Sequence, residues 1–204
     1  MPKNERQAQI LAIAQDLFAT HGFHHISMDD IAARADVSKP ILYRHFPSKL
    51  DLYLTVVDER GQALVDAVAH ALEPVVGWGP ETDEMPDGYA IIHAVVGAYI
   101  KFAEGSGAAA SLLFESDVTR DPTVRDRVDA PNRRNAELIA QALVTITDLT
   151  PEQALTVART STAMAQVAAS DAHQGTADLV AQFAWRGIHG MLRREDPPGP
   201  TAAL

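Results

Sequence analysis

Residues 10–53 read ILAIAQDLFATHGFHHISMDDIAARADVSKPILYRHFPSKLDLY, and the fold turns on this stretch. Ile10, Ile13, Ala14, Leu17 and Phe18 recur every three or four residues, the one-sided apolar stripe of an amphipathic helix over Asn4 to Thr20. Gly22 stands two residues further on, where a helix C-cap is expected. Ser27 followed by Asp30 is a variant of the capping box, and Ile31, Ala32 and Ala35 supply the buried face of a helix about two turns long. That helix stops at Asp36-Val37. Ser38 then caps a third helix whose first turn holds Pro40, where the missing N–H costs nothing, and Pro47 ends it after Phe46.

Two short helices across the tight turn Ala35-Asp36-Val37-Ser38 make a helix-turn-helix candidate. Such a unit needs a second helix that packs one face on a small core and offers polar side chains to the major groove from the other. Ile41, Leu42 and Phe46 suit the inner face; Lys39, Tyr43, Arg44 and His45 suit the outer one. The charge of −10 looks wrong for a partner of nucleic acid, but it is unevenly spread. Residues 1–50 carry six basic and five acidic side chains, whereas residues 51–204 carry eleven and twenty-two. A phosphate-binding face is possible only in the first segment.

Working outward, Ser48 opens a long fourth helix with Leu50, Tyr53, Leu54, Val57, Leu64, Val68 and Leu72 at helical spacing, and Pro74 is expected to end it. Residues 74–88, rich in proline, glycine and acids, read as a loop. Further helices are expected near 88–104, 108–117, 122–147, 151–173 and 176–194. Thr150-Pro151 with Gln153 is a clear start signal. The expectation is an all-α fold of about nine helices: a helix-turn-helix domain at 1–48, a larger helical domain at 49–194 and a frayed tail at 195–204.

The absence of cysteine removes disulfides and thiolate metal sites, and neither an apolar leader nor a membrane-length apolar run is visible. A cytoplasmic protein without membrane attachment is expected. No nucleophile elbow, phosphate-cradling glycine loop or pair of catalytic carboxylates is found, so neither an enzyme nor a cofactor is expected. His21, His24 and His25 read as a polar loop rather than a metal site, because Gly22 breaks the helix between them. Lys3 and Arg6 fit equally a basic arm reaching a minor groove and a solvated helix start.

The stretch from Ile10 to Tyr53, above all VSKPILYRHFPSKLDLY, resembles the N-terminal domain of the TetR family of bacterial transcriptional regulators. The resemblance implies residue roles on double-stranded, near-palindromic DNA. Ser38 positions a phosphate at the helix start, and Ser27 approaches the backbone from the other side. Lys39 and Pro40 form the tip that meets base edges, and Tyr43 touches a thymine methyl or a phosphate. His45 and Lys49 contact phosphates. Arg44 is the candidate for direct base readout, its fork matching guanine. Asp36 departs from the family, which usually has glycine there; aspartate tolerates the left-handed backbone better than most residues, but its charge near DNA should weaken binding slightly.

The family likeness also implies that the larger domain binds a small effector and forms a homodimer through its last two helices. Val96, Ile100, Phe102, Leu113, Phe114, Leu138, Ala142 and Leu143 are the candidate pocket lining, and their apolar character implies an apolar effector. Met164, Val167, Phe183, Trp185 and Ile188 are the candidate dimer contacts. Finally, SKPILYRHFPSKLDLYLTVV, LLFESDVTRDPTVRDRV and QFAWRGI are similar to actinobacterial regulators of fatty-acid synthesis within this family. That implies a long-chain acyl-CoA as effector and control of lipid genes.

Overall fold

A computed structural model describes residues 3–78, 86–106, 112 and 122–190. The described residues are all-α, with eight helices: α1 (Lys3–His21), α2 (Met28–Arg34), α3 (Lys39–His45), α4 (Lys49–Val76), α5 (Gly88–Ser106), α6 (Pro122–Ile146), α7 (Pro151–Ser170) and α8 (Thr176–His189). The helix expected at 108–117 lies outside the described residues apart from Leu112, as does the tail 195–204.

The local signals act as chemistry demands. Ser27 caps α2 and Thr150 caps α7 with reciprocal capping boxes, through Asp30 and Gln153 respectively. Each box satisfies two backbone N–H groups that the first helical turn leaves unpaired. Pro74, by contrast, does not end α4, which runs two residues past it. Proline forfeits its own hydrogen bond and crowds the carbonyl four residues back, but leaves the residues after it free to stay helical. The Gly77 N–H still reaches the Glu73 carbonyl at 3.0 Å.

α1, α2 and α3 form a head around Ile10, Phe18, Ile31, Leu42 and Phe46, all buried. The first turns of α4 complete this core. Tyr53 is fully buried against Phe18 and Phe23, edge to face with ring centroids 5.4 and 5.0 Å away. Such aromatic contacts add to the burial of the rings themselves. α4 thus packs with the head through its first turns and with the body through the rest of its length.

In the body α5 is the hub, packed by α4, α7 and α8, while α6 bridges α4 and α7. Two glycines make close approach possible. A Cβ on Gly61 would lie 2.4 Å from Cγ of Pro131, so α4 meets α6 closely at this point. A Cβ on Gly88 would lie 2.2 Å from Cζ3 of Trp185, so the start of α5 carries the indole of α8. Among the described residues, no helix is long and apolar enough to cross a membrane.

Candidate functional site

The turn between α2 and α3 is a Schellman arrangement. Val37 N–H donates to the Ala32 carbonyl at 3.0 Å and Asp36 N–H to the Ala33 carbonyl at 3.3 Å. Its pivot, Asp36, has φ of 51°, the left-handed conformation expected from the sequence, and is exposed. The turn sets α3 so that Leu42 is fully buried and Phe46 nearly so, with Ile41 half-buried beside them. The opposite flank is open. Ser38, Lys39, Pro40, Tyr43 and Arg44 are all exposed, Tyr43 at 47 % despite its ring. His45, half-buried, stands at the end of the helix with its ring beside Phe46. Ser38 occupies the N-cap position but makes no side-chain capping bond.

Ser27 has the capping partner that its spacing announced, whereas Lys39 and Lys49 have partners that spacing did not reveal. Ser27 donates its hydroxyl to Asp30 at 2.6 Å and accepts from the Asp30 N–H at 3.2 Å. The Ser27 side chain, then its backbone N–H, holds the Asp30 carboxyl below the usual carboxylate range. Lys39 pairs with Asp29 of α2 at 2.6 Å, and that hydrogen bond, with the charge behind it, pushes its ammonium pKa up.

Lys49 is turned further inward than its predicted phosphate role implies. Its ammonium donates to the carbonyls of Phe23 and Ile26, both at 2.9 Å, and lies 4.2 Å from the centre of the Phe23 ring. It closes the loop between α1 and α2 onto the start of α4, with one N–H left for anything else. Arg6, half-buried, donates to Gln9 along α1.

A three-helix head with a capped turn and an open polar flank on α3 is the arrangement also found by comparison. The profile of the bacterial regulatory proteins of the tetR family matches residues 10–56. The HTH-type transcriptional activator FasR of Mycolicibacterium smegmatis is 38 % identical over 128 residues, 63 % of this chain and 54 % of that protein. The solved structure of a TetR-like transcriptional regulator from Rhodococcus sp. RHA1 aligns with a TM-score of 0.66 at 26 % identity, covering 93 % of this chain and 99 % of that one. The head of this chain thus resembles the DNA-binding region of TetR-family regulators. The HTH-type transcriptional regulator EthR of M. smegmatis is 46 % identical over 55 residues, 27 % of this chain and 25 % of that protein. The chain thus matches about half the length of FasR and a quarter of EthR.

In the body of the chain, an apolar cavity of about 60 Å³ lies between α4, α5, α6, α7 and α8. Val96, Ala142 and Leu143 line it, as the sequence suggested. Ile100, Phe102 and Leu138 belong to the packing elsewhere, and Leu113 and Phe114 lie outside the described residues. The wall also includes Leu72 and Val75 of α4, Ile91 and Val95 of α5, and Ile139 of α6, none of them singled out beforehand. Helical periodicity marks these side chains as inward, but not as facing a void rather than a neighbour.

The candidate dimer residues divide. Val167 and Phe183 are 69 % and 71 % exposed, with Leu179 beside them at 66 %. Trp185 and Ile188 turn inward: the indole sits against Gly88, Ile188 is buried, and both line the cavity, Ile188 bordering the outer groove as well. Met164 is half-buried at the cavity wall and also borders the outer groove with Phe183. On α8, residues 183 and 185 are two apart and so point to different sides of the helix.

Proposed function

We propose that this chain is a sequence-specific DNA-binding transcriptional regulator, acting as a homodimer whose operator affinity is set by a small apolar effector. One observation carries the reading: Lys39, Pro40, Tyr43 and Arg44 form an open polar flank on a helix anchored from behind by Leu42 and Phe46. Lys39 and Pro40 form the tip, Arg44 reads a base edge, and Tyr43, Ser38 and His45 hold the backbone. Ser27 and Lys49 reach phosphates secondarily, given their internal bonds. The reading is of a regulator rather than an enzyme.

The exposed cluster of Val167, Leu179 and Phe183 on the last two helices supports a second copy as partner, since contiguous exposed apolar surface marks an interface. Two-fold symmetry then places two α3 helices in successive major grooves, about 34–36 Å apart. The effector acts through α4. With 28 residues, about 42 Å of helix, it lines the cavity with Leu72 and Val75 and completes the head with Leu52 and Tyr53. Whatever moves one end moves the other, and a ligand shifts operator affinity by preferring one head spacing.

The resemblance of SKPILYRHFPSKLDLYLTVV, LLFESDVTRDPTVRDRV and QFAWRGI to fatty-acid regulators supports a long-chain acyl-CoA as effector and lipid genes as targets. The cavity wall suits an acyl chain, but its volume falls far below the roughly 300–1,000 Å³ typical of ligand pockets. Such an effector must part the helices, and the parting of α4 from α5 is then the signal.

Selection of bound sequences from random duplex by the full chain tests the reading. A near-palindromic motif should emerge, its affinity falling steeply with salt. Tyr43→Ala should weaken binding to that motif at least tenfold while the dimer persists in size-exclusion chromatography. Failure of any sequence to be enriched would refute the proposal.

A further inference from the structure

Two carboxylates stand side by side in the first turn of α2, with different partners. Asp30 is taken up locally: it accepts from the Ser27 N–H at 2.8 Å and from the Ser27 hydroxyl at 2.6 Å, closing the cap. Asp29 has no part in that cap. It reaches out of its own helix and accepts from the Lys39 ammonium, at the start of α3, at 2.6 Å. Side-chain exposures of 60 % for Lys39 and 59 % for Asp29 leave the pair open to whatever approaches the polar flank of α3. From Met28 to His45 the chain carries three aspartates against three permanent cations, Arg34, Lys39 and Arg44, so this unit has no net charge while His45 is neutral.

That balance bears differently on the two kinds of acceptor a duplex offers. Sequence-independent binding comes from cations that meet phosphates and release their counterions. Lys39 paired with Asp29 brings no net charge to a phosphate, and the same phosphate repels the carboxylate; to serve it, the ammonium must leave its partner. A base edge makes no such demand. An ammonium has three N–H donors, Asp29 takes one, and two remain for neutral acceptors such as guanine N7 and O6. Exposed ion pairs are worth about fivefold in an equilibrium at most, so this one weights the choice between acceptors and does not lock the lysine away.

We propose that Asp29 is a specificity-determining residue of the DNA-reading unit: by holding the Lys39 ammonium it withholds that charge from phosphates of arbitrary sequence and leaves it available to base edges of the operator. The assignment rests on the regulator reading above and adds to it a residue that acts through Lys39. Specificity is a difference between two affinities, and a charge placed against the wrong complex raises it as surely as a contact made in the right one.

The test is fluorescence anisotropy of the full chain on two duplexes, the selected operator and a scrambled sequence of the same composition, across a series of salt concentrations. Asp29→Asn removes the charge and keeps the shape. Binding to the scrambled duplex should tighten about threefold to fivefold, and the slope of log affinity against log salt should steepen by about 0.9, the share of one freed cation. Operator affinity should move by less than about twofold, so the preference for operator falls. Asp29→Glu should restore the preference, and in a Lys39→Gln background Asp29→Asn should lose most of its effect. Unchanged or weaker binding to the scrambled duplex, an equal gain on both duplexes, or a gain undiminished without Lys39 would overturn the role of Asp29. A wild-type chain with no preference for any sequence would instead sink the regulator reading on which it rests.

Discussion

The head and the body of this chain reach stability by different routes. In the head, the contacts are individually specified: two aromatic rings enclose Tyr53, a lysine closes a loop on two carbonyls, and a six-residue backbone pattern pivots on Asp36. In the body, the helices meet through Ala154, Ala158, Ala165 and other small side chains and leave a cavity. A unit that must present α3 in one orientation tolerates little slack, whereas a unit that must yield to a ligand needs some. Close-packed cores behave as bistable rather than elastic, so slack has to be built in as void volume.

Five substitutions would break or sharpen that contrast. Tyr53→Ala should be the severest, costing about 3–5 kcal/mol as a large cavity opens under the head; urea melts followed by circular dichroism would show it, and a cost near zero would mean α4 is not part of the head core. Lys49→Met should follow at about 2 kcal/mol, because two backbone carbonyls lose a charged donor. If Lys49 served only phosphates, thermal stability without DNA would not move.

A matched pair comes next. Ala35→Leu inserts bulk behind the turn, where the methyl is already buried, and should cost about 1–3 kcal/mol. Ala142→Leu makes the same change at the cavity wall and should stay within about 1 kcal/mol of wild type. Equal penalties would remove the distinction between the halves. The smallest effect is a gain: Asp36→Gly relieves a left-handed aspartate, raising stability by about 0.5–1 kcal/mol and removing a charge that faces the proposed duplex. Fluorescence anisotropy with operator should show tighter binding, and unchanged affinity would place Asp36 away from the phosphates.

Much of the head was legible in advance because its instructions are local. The Ser27–Asp30 box, the left-handed Asp36 and the inward Leu42 and Phe46 each depend on residues within a few positions of one another, as does the Thr150–Gln153 box in the body. The outward flank of α3 followed by subtraction. What spacing could not show lies where a partner is distant in sequence. Lys49 meets carbonyls more than twenty residues away, Trp185 finds its place on Gly88, and Lys39 turns to Asp29. Pro74 misled for a different reason, since a proline near a helix end disturbs the turn before it and not the turn after it.

By itself, then, the order of residues determined the helices, their caps, the turn before α3 and which side of α3 is polar, because backbone hydrogen bonding and side-chain periodicity act over three or four positions. Only the tertiary structure decided where the void lies and which aromatic of α8 turns inward. Those outcomes depend on what other helices place opposite each side chain, and no neighbour in sequence carries that information.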